Sequence, residues 1–357
     1  MKIPRFPLIL TITLLFGLLL SACSGAAVVN TWPGLSSGDD TVFLAYQNGV
    51  FAIDVSNGSL LWRFPAKADG GKSFYAPPTV IDNQMFVGDY TNTLYSLNPT
   101  SGAQIWEFKK ESGHFVSSPQ VVNDTVLAPS SDNNLYALDQ NGSLRWSFKT
   151  NNVLWAQPVS DGQLVYLPAM DHNLYALNLS DGSKVWSTDL GGSLLGSPVL
   201  QDGVLYVNTM DGKTYAVNAQ DGKVVWKVEI GEQIWASPVF HENNLYFGTS
   251  AGTVYALSTD PSVSASERVL WKVTIGNPVI GAGVVIPNGL VFTTEAGDIQ
   301  AMSFTGETLW IKKVNGKLYS TPVVVNDTLV IAATEGDSLL TAYNLDGGQK
   351  WVFTVPK

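Results

Sequence analysis

Three histidines, one cysteine and a recurring aspartate are the residues of this chain with the most obvious chemistry to offer. His114, His172 and His241 fall in three different repeats and three different local contexts, a connection and two kinds of turn. That is not the spacing of metal ligands, so they read as turn residues and no metal site is expected. Asp132, Asp171, Asp211 and Asp337 recur at one turn position. Such a crown could attract a cation or a basic peptide, but aspartate also bonds its own backbone in turns, and turn chemistry is the expectation. The chain holds no Gly-x-x-x-x-Gly-Lys-Ser/Thr phosphate loop and no Asp-x-Asp-x-Asp-Gly calcium loop. No catalytic residue is assigned.

The elements that position these residues begin with a processing segment. Lys2 and Arg5 precede an apolar run, Leu8 to Leu20, that closes in Leu20-Ser21-Ala22-Cys23. Residues 1–22 are read as a secretory signal. The tetrad resembles the bacterial lipobox, and the resemblance implies cleavage before Cys23 and a diacylglycerol on its thiol. Residues 23–31 then form a lipidated linker, and 32–357 the folded domain. Acyl chains contribute about 0.8 kcal/mol per buried methylene, so several on one cysteine hold a protein on a membrane. Ser24, by the same resemblance, permits sorting to an outer membrane. Cys23 is the only cysteine, so no disulfide within the chain is expected. Losing Lys2 and Arg5 takes the formal net charge from −10 to −12, which disfavours nucleic acid as a partner.

The rest of the chain repeats. Trp62, Trp106, Trp146, Trp186, Trp226, Trp271, Trp310 and Trp351 recur 39 to 45 residues apart. A period near 40 signals a repeat architecture. Residues 195–228 show one unit: four β-rich pieces, A to D, divided by Asp202-Gly203, Asp211-Gly212 and Asp221-Gly222. Asp-Gly between apolar runs marks hairpins, and four antiparallel strands repeated radially make a propeller blade. The frame fits eight times, starting near Trp32, Tyr75, Val116, Trp155, Leu195, Trp235, Ile280 and Tyr319. The expected fold is all-β: an eight-bladed β-propeller of four-stranded antiparallel blades. Pro78, Pro119, Pro158, Pro198, Pro238 and Pro322 stand where strand A starts, a position that tolerates proline. A strand near Ala26 to Val29 is one way to close the ring.

The C–D segment carries a family resemblance. Ala176 to Trp186 reads Ala-x-Asp/Asn-x-x-x-Gly-x-x-x-Trp; Ala52 to Trp62 and Ala216 to Trp226 match it, and Ser96 to Trp106 matches with Ser for Ala. This resembles the tryptophan-docking motif of the quinoprotein (PQQ-like repeat) propellers. The resemblance implies that each tryptophan packs between neighbouring blades. Quinoprotein dehydrogenases of that family hold PQQ over Ca²⁺, and many use a vicinal disulfide that Cys23 cannot supply. The expectation is therefore neither PQQ nor Ca²⁺, and no enzyme activity.

A second column is formed by Trp32, Tyr75, Trp155, Trp235 and Tyr319, three residues before the proline position. Lying at the start of the innermost strand, these five are expected near one channel mouth, where they either pack the strand starts or form a binding funnel. Repeat 6 lengthens its C–D hairpin through Ser258 to Arg268, repeats 1 and 2 are joined by the longer Pro65 to Phe74, and repeat 7 has Gly281-Ala282-Gly283 in place of Ser-x-Pro. Lipobox, blade number, blade motif and length together resemble the BamB family of outer-membrane assembly lipoproteins. That resemblance implies a non-catalytic scaffold, monomeric within the β-barrel assembly machinery and anchored by lipid to the periplasmic face of the outer membrane. In a cell without an outer membrane it implies a surface-binding lipoprotein on the outer face of the cytoplasmic membrane.

Overall fold

A computed structural model describes residues 32–355. They form thirty-two strands in eight sheets, each built from four consecutive strands. The blades, numbered 1 to 8, span Gly34–Phe64, Thr79–Lys109, Gln120–Lys149, Val159–Asp189, Val199–Glu229, Val239–Thr274, Val284–Lys313 and Val323–Phe353. This is the all-β, eight-bladed propeller that the repeat predicts.

Blade 5 shows why the sequence folds this way. Strand A is Val199–Gln201, B is Val204–Thr209, C is Lys213–Asn218 and D is Val224–Glu229. Strands B and C are buried almost throughout, whereas D alternates outward. The middle strands are covered by a neighbouring blade on each face, so they read as continuous apolar runs rather than as an alternation. Asp202 and Gly203, at φ 49° and 75°, make the tight A–B turn, whose two central residues both need positive φ. The prolines stand one residue before strand A rather than within it, as Pro198 does before Val199, so no ladder hydrogen bond is lost. The hydroxyl before the proline joins blades: Gln157 N donates to Ser197 Oγ at 3.1 Å, and Ser197 N to Ser237 Oγ at 2.8 Å.

The core lies between blades. Eight apolar clusters each draw on two adjacent blades, and one of them joins blade 8 to blade 1 through Leu44, Ile53, Val330, Leu340 and Trp351. The docking motif gains a physical meaning here. Its alanine, or Ser96, pairs across the ladder with the tryptophan of its own blade in all eight cases, and the register shifts at the next residue. Its Asp or Asn caps the hairpin, as when Asn98 Oδ1 accepts from Thr100 N at 3.0 Å and Ser101 N at 2.9 Å. Its glycine lies under the tryptophan of the preceding blade. A Cβ on Gly182 (φ +73°) would stand 2.5 Å from Trp146 Cε3, and one on Gly58 would stand 2.6 Å from Trp351 Cε3. The indole N–H of Trp146 donates to Leu179 O at 2.9 Å, and that of Trp351 to Val55 O at 2.7 Å.

Ring closure uses the same tryptophan–glycine contact as six of the other junctions. Trp351 and Gly58 seal blade 8 against blade 1, Trp32 stacks on Tyr319 with centroids 4.9 Å apart, and Asn326 Nδ2 donates to Asp39 O at 2.9 Å. The suggested closing strand near Ala26 to Val29 lies outside the described residues, as do Cys23 and the signal segment.

Candidate functional site

The column that starts each blade forms a collar at one end of the propeller. Each connection into a new blade is bonded to the adjacent B–C turns. Met170 N donates to Val153 O at 3.3 Å, Met210 N to Ser193 O at 2.9 Å and Ser250 N to Gln233 O at 2.9 Å. Within each connection one residue plugs the junction: Phe74, Phe115, Leu154, Leu194, Ile234, Val279 and Leu318 are all essentially inaccessible. The chain is extended here, so the residue after a plug faces the other way. That residue is Tyr75, Val116, Trp155, Leu195, Trp235, Ile280 or Tyr319, with Trp32 at the same position in blade 1. None of the eight is buried. Trp32 is 39% and Trp155 45% exposed. Burying the plug is thus what turns an apolar side chain outward in blades 2 to 8.

Of the five aromatics singled out in the sequence, the structure brings Trp32 and Tyr319 into direct contact, and Tyr319 OH also donates to Glu295 Oε1 at 2.9 Å. Tyr75 packs on Tyr90 at 5.1 Å, and Tyr90 stacks on His114 at 3.8 Å and 13°. Trp235 Nε1 is buried without a partner. Sequence reading missed Val116, Leu195 and Ile280 as collar members, although they share the repeat position. It also missed Tyr90, Met170 and Met210, which the B–C turns bring alongside and which only tertiary contact reveals.

The carboxylates hold turns. Asp132 Oδ1 accepts from Asn134 N at 3.0 Å and Oδ2 from Tyr136 OH at 2.6 Å; Asp171 does the same with Asn173 N at 3.1 Å and Tyr175 OH at 2.6 Å. Asp211 takes Thr209 Oγ1 at 2.6 Å and Lys213 Nζ at 2.5 Å, and Asp337 takes Asn315 Nδ2 at 3.0 Å. In blade 6, where Ala251 stands at the turn, Glu232 reaches in from the connection to accept Tyr255 OH at 3.0 Å. Burial first, and then the bonded carboxylate, raise the Tyr136 and Tyr175 phenols above their ordinary range, and push Tyr255 up to about 12.

The histidines are not brought together. His172 lies in its B–C turn, whereas His241 ends strand A instead of standing in the A–B turn, and stacks on Phe304 at 4.1 Å. His114 is half-buried against Tyr90 rather than a free surface residue, with Nδ1 enclosed and unpartnered. Among the described residues no group of three or more His, Cys, Asp or Glu is placed to hold a metal ion. The turn carboxylates are engaged by Tyr hydroxyls, amide N–H groups and Lys213.

Eight blades, joined at seven of their eight junctions by this tryptophan–glycine contact, define a quinoprotein-like, PQQ-repeat β-propeller. A family model described as outer membrane protein assembly factor BamB matches residues 26–152, 139–262 and 260–357, and the chain belongs to that family. Among similar sequences, the outer membrane protein assembly factor BamB of Legionella pneumophila (strain Paris) is 26% identical over 140 residues, 39% of this chain and 33% of that protein. The tetrathionate hydrolase of Acidithiobacillus ferrooxidans is 37% identical over 60 residues, 17% of this chain and 11% of that protein. These alignments thus span a third or less of the relatives' own length. Among solved structures, BamB from Moraxella catarrhalis superposes with a TM-score of 0.72 at 18% identity, covering 86% of this chain and 92% of that one. A europium-containing methanol dehydrogenase gives a TM-score of 0.72 at 13% identity, covering 85% of this chain and 82% of that one. At such identities both speak for the fold alone.

Proposed function

We propose that this protein is a non-catalytic scaffold in the assembly of outer-membrane β-barrel proteins, and that the apolar collar is the surface that takes a partner protein. The observation that carries the reading is the collar itself: eight of eight positions around one mouth are apolar or aromatic and none is buried. Exposed apolar patches of this kind mark interaction sites, and aromatics dominate binding hot spots. Membership of the BamB family supports the assembly role. In this reading the lipidated Cys23 holds the propeller on the periplasmic face of the outer membrane, as a monomer within a larger complex, and neither PQQ nor Ca²⁺ is bound. In a cell without an outer membrane the same collar serves a surface-displayed binding protein.

The test is co-purification of the tagged protein from its own membranes, as wild type and as Trp155→Ala with Trp235→Ala. The expected result is that a β-barrel assembly protein accompanies the wild type and is lost from the folded double variant. Retention of the partner by the folded variant refutes the collar as the docking surface. The second reading is a quinoprotein enzyme, since the fold is shared with a methanol dehydrogenase although a shared fold does not carry its activity. Stoichiometric uptake of PQQ with Ca²⁺ in an absorbance titration would establish it.

A further inference from the structure

Seven of the eight docking tryptophans are sealed. Trp62, Trp106, Trp146, Trp186, Trp271, Trp310 and Trp351 each donate their indole N–H to a carbonyl of the next blade's C–D turn, at 2.7 to 3.0 Å. In each case a glycine of that turn lies against the ring. The junction between blades 5 and 6 breaks both halves of the contact. Blade 6 has the insertion Ser258 to Arg268 in place of the short turn, with no glycine in it. Arg268 lies on the ring instead, its guanidinium carbon 4.2 Å from the Trp226 centroid. Arg268 is only 1% exposed and is held by the carbonyls of Ser258, Asp260 and Val263. Trp226 Nε1 is left with no acceptor among the described residues.

Trp226 also lines a groove of about 560 Å³ between the two blades, on the A–B and C–D side and so away from the collar. That volume suits a small-molecule site. A second groove opens between blades 3 and 4, but Trp146 does not line it, and its N–H is already bonded to Leu179 O. The seven sealed junctions define what the eighth lacks: the carbonyl oxygen of a secondary amide. Around that position Val204, Val225 and Phe240 give an apolar wall, and Gln201, Asn243 and Asp202 a hydrogen-bonding rim. No Lys or Arg lines the groove, and Arg268 on the Trp226 ring is buried and engaged by three carbonyls, so an anionic ligand would face the carboxylates of Asp202 and Asp260.

We infer that this groove binds a neutral N-acetylated amino sugar. Its acetamido carbonyl accepts the Trp226 N–H, its methyl packs on the apolar wall, and its hydroxyls bond the rim. A plain glucan offers the hydroxyls but not the carbonyl, and a free peptide offers the carbonyl but not the hydroxyls.

The test is a ¹H–¹⁵N titration of the indole resonances of the purified protein with triacetylchitotriose, and with cellotriose as its counterpart lacking the acetamido groups. Trp226→Phe identifies the signal. The expected result is a saturable shift of the Trp226 resonance by triacetylchitotriose, with cellotriose about tenfold weaker. Asn243→Ala, an exposed position, weakens the response about fivefold and leaves the other indole signals in place, which shows that the fold is intact. No saturable shift at Trp226, or equal response to the two sugars, overturns the inference. A stronger response to N-acetylalanine N-methylamide also overturns it, and makes the groove a peptide-docking surface instead.

Discussion

The two tryptophan columns share a residue type and a period, yet their surroundings have opposite logic. At Trp146 the ring is 8% exposed, rests on Gly182 and gives its N–H to Leu179 O. At Trp155, nine residues later, the ring is 45% exposed and follows the buried plug Leu154. The first side chain has spent its surface and its hydrogen bond inside the ring; the second has kept its surface for something outside. Repetition alone does not separate scaffold from site. What separates them is whether the contacts of the side chain are already made within the chain.

The comparison is broken most directly by removing each ring in turn. Trp146→Ala empties a junction and leaves Leu179 O without its donor, so it is expected to cost about 3–5 kcal/mol, read as a lowered denaturant midpoint. Trp155→Ala is expected to cost less than about 1 kcal/mol. Similar losses at the two sites would show that the collar is part of the core.

Glycine substitutions probe the same contact from the other side. Gly182→Ala combines positive φ with a Cβ 2.5 Å from Trp146, so a loss of about 2–4 kcal/mol is expected. Gly231→Ala also has positive φ, +77°, but meets nothing within 4 Å, so the backbone term of about 1 kcal/mol stands alone. If both cost the same, the glycine is kept for its φ and not for the ring above it.

A smaller effect separates the turn carboxylates from a binding crown. The Tyr136 and Tyr175 phenols are raised by burial and by bonds to Asp132 and Asp171. The native state therefore holds these protons after the unfolded chain, near pH 10, has lost them. Their stabilisation is complete below about pH 10 and falls away as pH climbs above it. Thermal midpoints at pH 9, 10 and 11 should drop across that interval, and Tyr136→Phe with Tyr175→Phe should flatten the drop. An unchanged slope in the double variant would free the two aspartates for another role.

The smallest effect expected is at ring closure. Asn326→Ala removes the bonds to Asp39 O and Asp40 Oδ1, both exposed, and should lower stability by about 0.5–1 kcal/mol. A much larger loss in the denaturation midpoint would mean that blades 8 and 1 are held together chiefly there.

Much of this molecule was legible before it was folded. The period of the tryptophans, the Asp-Gly turns and the apolar B and C pieces fix blade number and strand order, because each is local and repeats in register. The Ala–Asn–Gly–Trp motif is likewise local, but its reason is not. The alanine faces its own blade's tryptophan, while the glycine faces the tryptophan of the blade before, some 40 residues back. The collar was legible only in its aromatic members. Val116, Leu195 and Ile280 carry no chemical signal until the plugs before them are seen to be buried. The opening at Trp226 was half legible: the insertion from Ser258 to Arg268 stands out in the sequence, but not the ring it leaves uncapped.

The sequence by itself therefore determined the propeller, its eight units and which residue types recur at each position. Hydrophobic pattern and turn chemistry act over a few residues and need no partner to be read. The tertiary structure alone decided which of two equivalent-looking tryptophan columns gives its indole N–H and ring face to the next blade. It also decided at which junction the seal fails. Those outcomes depend on contacts between blades, where a neighbour's glycine, carbonyl or arginine either fills the space beside a ring or leaves it open.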